Sequence, residues 1–384
     1  MRGSVIKRGK SWSVVVELPP DPETGKRRQR WHSGYRTRKE AERARVELLS
    51  IVDSGTYVDH NRETLAQFIA DWLPAIERTI RPATLHSYER NLRLHVTPYI
   101  GALPLPKIDA GVLNGLYARL LKDGRRDRQG GLSPRTVRYV HTILHRALKD
   151  GTKWGRIARN PADAANAPRA AANAAPEMTT WTAGELRIFL EQNAEDRLYA
   201  AWLLLATTGM RRGEALGLRW ADLDFETGRA AIRQTVVMVG KEVIFGTPKT
   251  AKGRRVIALD TATVAGLRAH RARQLEERLL IGAGWQDLGL AFSKVTGEPL
   301  HPDRFSREFD RRVKRSGLPR IRLHDLRHTW ATLALQAGVH PKVVQERLGH
   351  SAVGITLDVY SHAIPAMQAD AAEKVAGLVL DAER

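Results

Sequence analysis

The segment 322–361 constrains the fold and chemistry more than any other part of the sequence, because it concentrates histidine, arginine and tyrosine among short helical patterns. Leu323–Gln336 has the apolar spacing of a helix. On that helix His324, Arg327 and His328 share one face, since residues three and four positions apart are neighbours. The segment therefore predicts a cationic helix face that is rich in hydrogen-bond donors.

A second short helix is predicted directly after the first. Pro341 is a favoured first helical residue, and Gly349 is a favoured residue just past a helix end. This ending presents His350, and Tyr360 follows ten positions later after a short apolar run. Arginine, histidine and tyrosine together are what phosphoryl transfer through a covalent enzyme intermediate needs when no metal takes part.

Two motifs upstream complete a recognisable order. Residues 208–216 read Thr-Gly-Met-Arg-Arg-Gly-Glu-Ala-Leu, and residues 247–250 read Thr-Pro-Lys-Thr in the turn after a predicted strand. With the motifs of segment 322–361, this arrangement resembles the tyrosine recombinase, or phage integrase, family. The catalytic motifs cover about the second half of the chain, and the first half matches that family in its domain plan.

The resemblance implies a role for each matching residue. Arg211 and Arg327 would bind the scissile phosphate, and Lys249 would be the general acid. His324 and His350 would transfer protons and hydrogen-bond, and Tyr360 would be the nucleophile. Lys252 is close enough to compete with Lys249. Glu214 is interpreted as orienting Arg211, and His328 as a histidine that either packs in the core or supports the residues of the site. No cofactor and no metal are expected.

The predicted fold class is mainly α with small antiparallel β-sheets (α+β), arranged as a multidomain DNA clamp with a tyrosine-recombinase catalytic domain. The resemblance implies an arm-type DNA-binding domain over residues 1–60 and a helical core-DNA-binding domain over residues 61–159, for which a helical bundle without a DNA role is an equally open interpretation. Residues 160–179, rich in Ala, Pro and Asn, are interpreted as a linker, and residues 180–384 as the catalytic domain.

The N-terminal residues predict a small sheet with a helix behind it, which resembles the N-terminal arm-binding domain of some integrases. Strands are expected at 12–18 and 26–33, followed by a helix over 39–53 that Thr37 caps. The second strand is strongly basic, and its candidate DNA-binding residues are Lys26, Arg27, Arg28 and Arg30. The competing interpretation is a basic, solvated hairpin without a DNA role.

The formal net charge of +20 over 384 residues calls for a polyanionic partner, and nucleic acid is the first candidate. The chain has no cysteine, which excludes disulfides and Cys-ligated zinc. No apolar run approaches ~20 residues, so no membrane partner is expected and a cytoplasmic location is predicted. The resemblance implies double-stranded DNA with core and arm attachment sites, and a homotetramer on that DNA. A DNA-bending protein and an excision factor are further candidate partners.

Three alternatives stay open at this point. A type IB topoisomerase that relaxes DNA uses the same residue chemistry, and a non-catalytic DNA-binding protein could retain the motifs. His324 and His328, spaced like the ligands of a metallohydrolase helix, could instead bind a metal. Against the metal, Arg327 would place a cation beside it. The function favoured by the sequence is site-specific recombination through a 3′-phosphotyrosine intermediate, for integration or excision of a mobile element.

Overall fold

The computed structural model describes residues 3–20, 25–53, 62–127, 129–169, 179–248, 253–349, 375–376 and 379–380. The chain divides into two compact units, residues 1–175 and 176–384. Helices dominate both units, accompanied by small antiparallel sheets, which confirms the mainly α (α+β) part of the predicted fold class. The predicted site residues Lys249, Lys252, His350 and Tyr360 lie outside the described residues.

The first unit begins with an antiparallel sheet of strands β1 (Gly3–Arg8), β2 (Ser11–Leu18) and β3 (Arg28–Tyr35), followed by helix α1 (Arg38–Asp53). Thr37 caps this helix, as predicted, by accepting a hydrogen bond from Glu40 N. Strand β1 was not predicted. Its turn into β2 contains Gly9 at φ 59°, a conformation that glycine adopts readily in tight hairpins.

Strand alternation divides the side chains of this sheet between two faces. Helix α1 packs on the face that carries Val14, Val16 and Leu18, which form the local core with Ala41 and Val52. Residues that pair directly across an antiparallel sheet lie on the same face. The face opposite α1, called the open face below, carries Gln29, Trp31 and Ser33 of β3, whereas Arg28 and Arg30 lie on the helix side.

The rest of the first unit is helical, and the predicted helices are confirmed with small shifts of their ends. They are α2 (Leu65–Ile76), α3 (Pro82–His95), α4 (Thr97–Ile100), α5 (Ala110–Asp123) and α6 (Pro134–Lys153), of which only the short α4 was not predicted. Apolar residues from all of these helices form one core. Within it, the indole of Trp72 donates a 2.9 Å hydrogen bond to Asp150 and so joins α2 to α6.

The first part of the predicted linker packs onto these helices. Pro161–Asp163 forms a 3-10 turn in which Ala162 is buried. Asp163 lies 2.7 Å from the His145 ring, and Asn166 N donates to the Asn114 side chain. Only residues 170–178 of that predicted linker lie outside the described part of the chain.

The second unit builds its core from aromatic and aliphatic residues of consecutive helices. These are α7 (Ala183–Gln192), α8 (Tyr199–Thr208), α9 (Arg212–Leu216), α10 (Thr261–Ile281) and α11 (Pro302–Ser316). Helix α8 is apolar on all sides and central, and its Trp202 stacks on Phe305 with ring centroids 4.4 Å apart. Two further helices, α12 (Asp325–Gln336) and α13 (Pro341–Leu348), confirm the helices predicted in segment 322–361.

The strands of this unit differ from the prediction in two respects, of which one is the short strand β4 (Leu223–Asp224), which was not predicted. The stretch 229–237, predicted as one strand, forms two, β5 (Arg229–Ile232) and β6 (Thr235–Val239). Strand β5 lies between β4 and β8 (Arg255–Ala258), while β6 pairs with β7 (Glu242–Gly246). The break is held by Gln234, whose amide donates to the Gly217 carbonyl at 2.8 Å. No helix among the described residues is long and apolar enough to cross a membrane.

Candidate active site

The turn between α8 and α9 positions Arg211. Helix α8 ends at Gly209, which has φ 65°, and Arg211 is the residue immediately before α9. A Cβ at Gly209 would lie 2.8 Å from Leu348 Cδ2 and 3.0 Å from Trp330 Cε3. Glycine is therefore required here both by the left-handed backbone and by the close packing of α12 and α13.

Glu214 anchors Arg211. One of its oxygens accepts from Arg211 Nη1 at 2.8 Å, and the other accepts from the Arg211 main-chain N at 2.9 Å. Burial raises the pKa of Glu214, but hydrogen bonds and charges from Arg255 and Arg211 outweigh it and lower this pKa below its ordinary value. Glu214 is therefore ionised at neutral pH, with both carboxylate oxygens hydrogen-bonded to Arg211.

Arg327 lies in the first turns of α12 and is only 2% exposed. Its Nη1 donates to the Gly209 carbonyl at 2.9 Å, and its Nη2 donates to the Leu348 carbonyl at 2.6 Å. The guanidinium thus joins the end of α8 to the end of α13. The helical spacing predicted that Arg327 lies beside His324 and His328, but it did not predict that Arg327 is buried.

Three arginine side chains hydrogen-bond to the main chain at the end of α13. The main-chain carbonyls of residues 347, 348 and 349, called the carbonyl triplet below, accept hydrogen bonds from Arg255 Nε (2.6 Å), Arg327 Nη2 (2.6 Å) and Arg211 Nη2 (3.3 Å). The last carbonyls of a helix lack helical partners and carry partial negative charge, so cations are stabilised there. The triplet ends at the residue before His350.

Arg255 is a member of this cluster that sequence reasoning missed. It donates to both oxygens of Glu214, from Nη1 at 3.1 Å and from Nη2 at 2.9 Å. The side chains of this pair are 8% and 3% exposed. Arg347 was missed as well: its side chain donates to the carbonyls of Thr207 and Ala258 and lies over the Trp330 ring.

His324 and His328 are in edge contact at the start of α12, with ring centroids 5.1 Å apart. Desolvation, followed by the charges of His328 and Arg327, lowers the pKa of His324 to about 4, although part of its side chain remains open to solvent. Desolvation also lowers the pKa of His328. Both rings are therefore neutral at neutral pH and can hydrogen-bond without adding charge.

Asp325, the acid beside His324, is already engaged. It is 4% exposed and accepts from Arg322 Nε and Nη2 at distances down to 2.7 Å. Within the described ranges, no group of three or more histidine, cysteine, aspartate or glutamate residues is arranged to hold a metal ion.

The structure thus brings together Arg211, Glu214 and Arg327 around the end of α13, with His324 close enough for the charges of both arginines to lower its pKa. Two guanidinium groups held on fixed carbonyl and carboxylate acceptors form a site suited to a phosphate anion.

In the N-terminal sheet β1–β3, Lys26 and Arg27 precede β3 and are exposed, and Arg27 forms an ion pair with Glu17 of β2. Arg28 and Arg30 lie within β3, on the side that faces α1. The open face is less basic than the sequence suggested. There Trp31 is 48% exposed, with the Arg8 guanidinium 5.1 Å from its ring centroid.

Three family models match separate parts of the chain. The family described as "Phage integrase family" matches residues 183–367, "Arm DNA-binding domain" matches 4–50, and "Phage integrase, N-terminal SAM-like domain" matches 64–121. The chain belongs to the tyrosine recombinase (phage integrase) family, and its activity is site-specific recombination in the integration or excision of mobile elements.

Relatives extend over nearly the whole chain. The "Tyrosine recombinase XerC-like" protein of Caldanaerobacter subterraneus subsp. tengcongensis is 28% identical and is matched over 98% of this chain and 98% of its own length. The ICEBs1 integrase of Bacillus subtilis is 26% identical over 96% of this chain and 97% of its own. The Tn1549 transposon integrase, solved in complex with transposon right end DNA, has a similar fold: TM-score 0.64, 24% identity, 80% of this chain and 98% of that chain.

Proposed function

We propose that this recombinase cuts and rejoins duplex DNA through a 3′-phosphotyrosine intermediate, with Arg211 and Arg327 on the scissile phosphate. The observation that carries the proposal is their shared attachment to the carbonyl triplet, next to His350. Fork-shaped guanidinium groups bind the non-bridging oxygens of a phosphodiester in pairs and stabilise the charge of the transition state. Arg327 is 2% exposed, so this role requires DNA binding to uncover it.

The covalent step follows from the residue types. The phenol oxygen of Tyr360 attacks phosphorus and forms a Tyr–O–P bond, while the bond from phosphorus to the 5′ oxygen breaks. Lys249, with Lys252 as the alternative, gives a proton to the leaving 5′ oxygen. His350 accepts the phenol proton, and His324, neutral at neutral pH, hydrogen-bonds the phosphate or the phenol. Rejoining reverses these steps with the 5′ hydroxyl of another strand, so no external energy source is needed.

The test uses a nicked duplex that spans the junction of the element's circular form. Cutting near the nick releases a short fragment that diffuses away, so the covalent intermediate accumulates. We expect an SDS-resistant adduct on the 3′ side of the break, formed equally well in excess EDTA. Loss of the adduct in EDTA and its return with Zn²⁺ or Mg²⁺ would establish the metal-dependent alternative, and relaxation of plasmids that lack the junction would establish the topoisomerase.

We also propose that different residues of the N-terminal sheet bind the DNA backbone and the bases. Lys26, Arg27, Arg28 and Arg30 bind phosphates, whereas Gln29 and its neighbours on the open face contact base edges. Charged side chains along a strand edge suit the DNA backbone, and an amide can pair with the edge of a base in the major groove. The exposed Trp31 ring on the open face, away from Arg28 and Arg30, supports this division.

Selection of bound duplexes from a random-sequence pool, with the full-length protein, tests the division. Replacing Arg28 and Arg30 by alanine is expected to weaken binding to all sequences and to reduce the salt slope by about 1 per lost phosphate contact. Gln29→Ala is expected to relax the selected sequence at individual positions instead. Arg43→Ala, which removes an exposed cation of α1, is the control and should change neither property. A changed consensus in the arginine variant alone would contradict the assignment.

The family resemblance further supports a homotetramer that joins two DNA partners, with a DNA-bending protein and an excision factor as accessory partners. A DNA substrate supports a cytoplasmic location. The apolar spacing of 370–380 further predicts a C-terminal helix that docks on a neighbouring protomer; most of these residues lie outside the described part of the chain.

A further inference from the structure

We propose that Arg255 is a positioning residue for strand cleavage: it sets the guanidinium of Arg211 through Glu214 and holds the end of α13 through the Arg347 carbonyl. The inference rests on the proposed function, because it concerns the reaction in which Arg211 binds the scissile phosphate. Arg255 acts through these neighbours and need not touch DNA.

The first link is a shared carboxylate. Glu214 accepts hydrogen bonds from two guanidinium groups and from the Arg211 main-chain N. Two cations on one anion leave the cluster with one unit of positive charge, which is available to a phosphate. Without Arg255, the buried Glu214 would have Arg211 as its main counter-ion, and the pair would be neutral. Arg211 would then be drawn towards Glu214 and would offer less charge to the phosphate.

The second link is to the helix end. Arg255 Nε donates to the Arg347 carbonyl at 2.6 Å, and Nη1 also reaches the Gly253 carbonyl at 3.3 Å. The Arg255 backbone is itself fixed, because it pairs with Ile232 in the sheet. The residue therefore connects a rigid strand with both acceptors that orient Arg211: the Glu214 carboxylate directly, and the Gly349 carbonyl through the helix end.

Only an arginine meets these demands at once. Its planar fork presents Nε, Nη1 and Nη2 in fixed directions, and each makes a separate contact here. A lysine carries the same charge as a single point and cannot reproduce the paired contact with Glu214 together with the carbonyl contact. Arg255→Lys tests geometry at constant charge, and Arg255→Gln removes the charge as well.

The experiment compares two scissile groups in the nicked duplex: the normal phosphate, and a methylphosphonate in which a methyl group replaces one charged oxygen. Adduct formation is followed in single turnover. On the phosphate, Arg255→Gln is expected to slow the adduct roughly 100-fold, as misplacement of a reacting group does. On the methylphosphonate, which needs less positive charge, the loss should be much smaller, and Arg255→Lys should retain part of the rate on both. DNA affinity should be unchanged.

Arg197→Gln is the matched control. Arg197 also forms a paired contact with a glutamate in this unit, Glu277, and donates to the Ser293 carbonyl, so its loss disturbs stability without touching Glu214. Replacing a merely structural residue lowers the rate of adduct formation on both substrates by the same factor, because the ratio of the two rates does not depend on the folded fraction. If Arg255→Gln loses rate by the same factor on the phosphate and on the methylphosphonate, or keeps the normal rate on the phosphate, the positioning role is overturned. A wild-type protein that forms no adduct would instead remove the proposed function itself.

Discussion

Replacing Tyr360 by phenylalanine is expected to abolish the covalent protein–DNA adduct while DNA binding stays unchanged. Phenylalanine keeps the aromatic ring but lacks the oxygen that attacks phosphorus, so no ester bond can form. The nicked duplex described above measures the adduct on a denaturing gel, and a mobility-shift assay measures binding. Peptide mapping of the wild-type adduct should place the DNA on Tyr360.

Tyr199→Phe is the control for this experiment. Tyr199 is a half-buried residue at the start of α8, within the apolar core helix of the same unit, and its hydroxyl has no proposed role. It should form the adduct at the wild-type rate. An undiminished adduct from Tyr360→Phe would falsify the nucleophile assignment, and with it the covalent mechanism.

Replacing Arg327 by lysine is expected to slow strand cleavage by at least about 100-fold, the effect of losing a preorganised donor to a transition-state oxyanion. The charge is kept, but the bonds to the Gly209 and Leu348 carbonyls depend on two separate nitrogen atoms of the guanidinium. The loss should appear in the single-turnover rate at saturating protein, with little change in DNA affinity.

Arg322→Lys provides the comparison. Arg322 lies five positions before Arg327 and pairs with the buried Asp325, but its side chain is 71% exposed. An ion pair with one exposed partner contributes little, so cleavage by this variant should stay near the wild-type rate. If both lysine variants cut equally well, Arg327 has no direct part in the chemistry.

The helices were predictable because their signals are local. Thr64, Asp109, Ser133, Thr182 and Asp260 each accept a hydrogen bond near a helix start, and apolar residues recur behind them at helical spacing. Strand β1 was missed because it is mostly exposed, with little apolar alternation. The break between β5 and β6 was missed because each strand pairs with a different partner, a choice made by tertiary structure.

The candidate site was predictable only where residues lie in motifs. Arg211 and Glu214 are three positions apart, so the orienting contact followed from the sequence. Arg255 is 41 positions from Glu214 and 92 from Arg347, and no local pattern connects them. The motif around Arg327 indicated that this side chain binds a phosphate, but it did not indicate that the side chain is buried. The acceptors of Arg327 are main-chain carbonyls, which any residue type could supply, so no sequence pattern marks them.

The carbonyl triplet joins parts of the chain that are made at different times. Arg211 reaches Gly349 across 138 positions, and Arg327 reaches back 118 positions to Gly209. A ribosome releases the chain from its N-terminus, so the first unit emerges well before helix α13, whose end carries the carbonyl triplet. A product of interrupted translation that stops short of Gly349 should therefore occupy attachment sites without being able to break the DNA there.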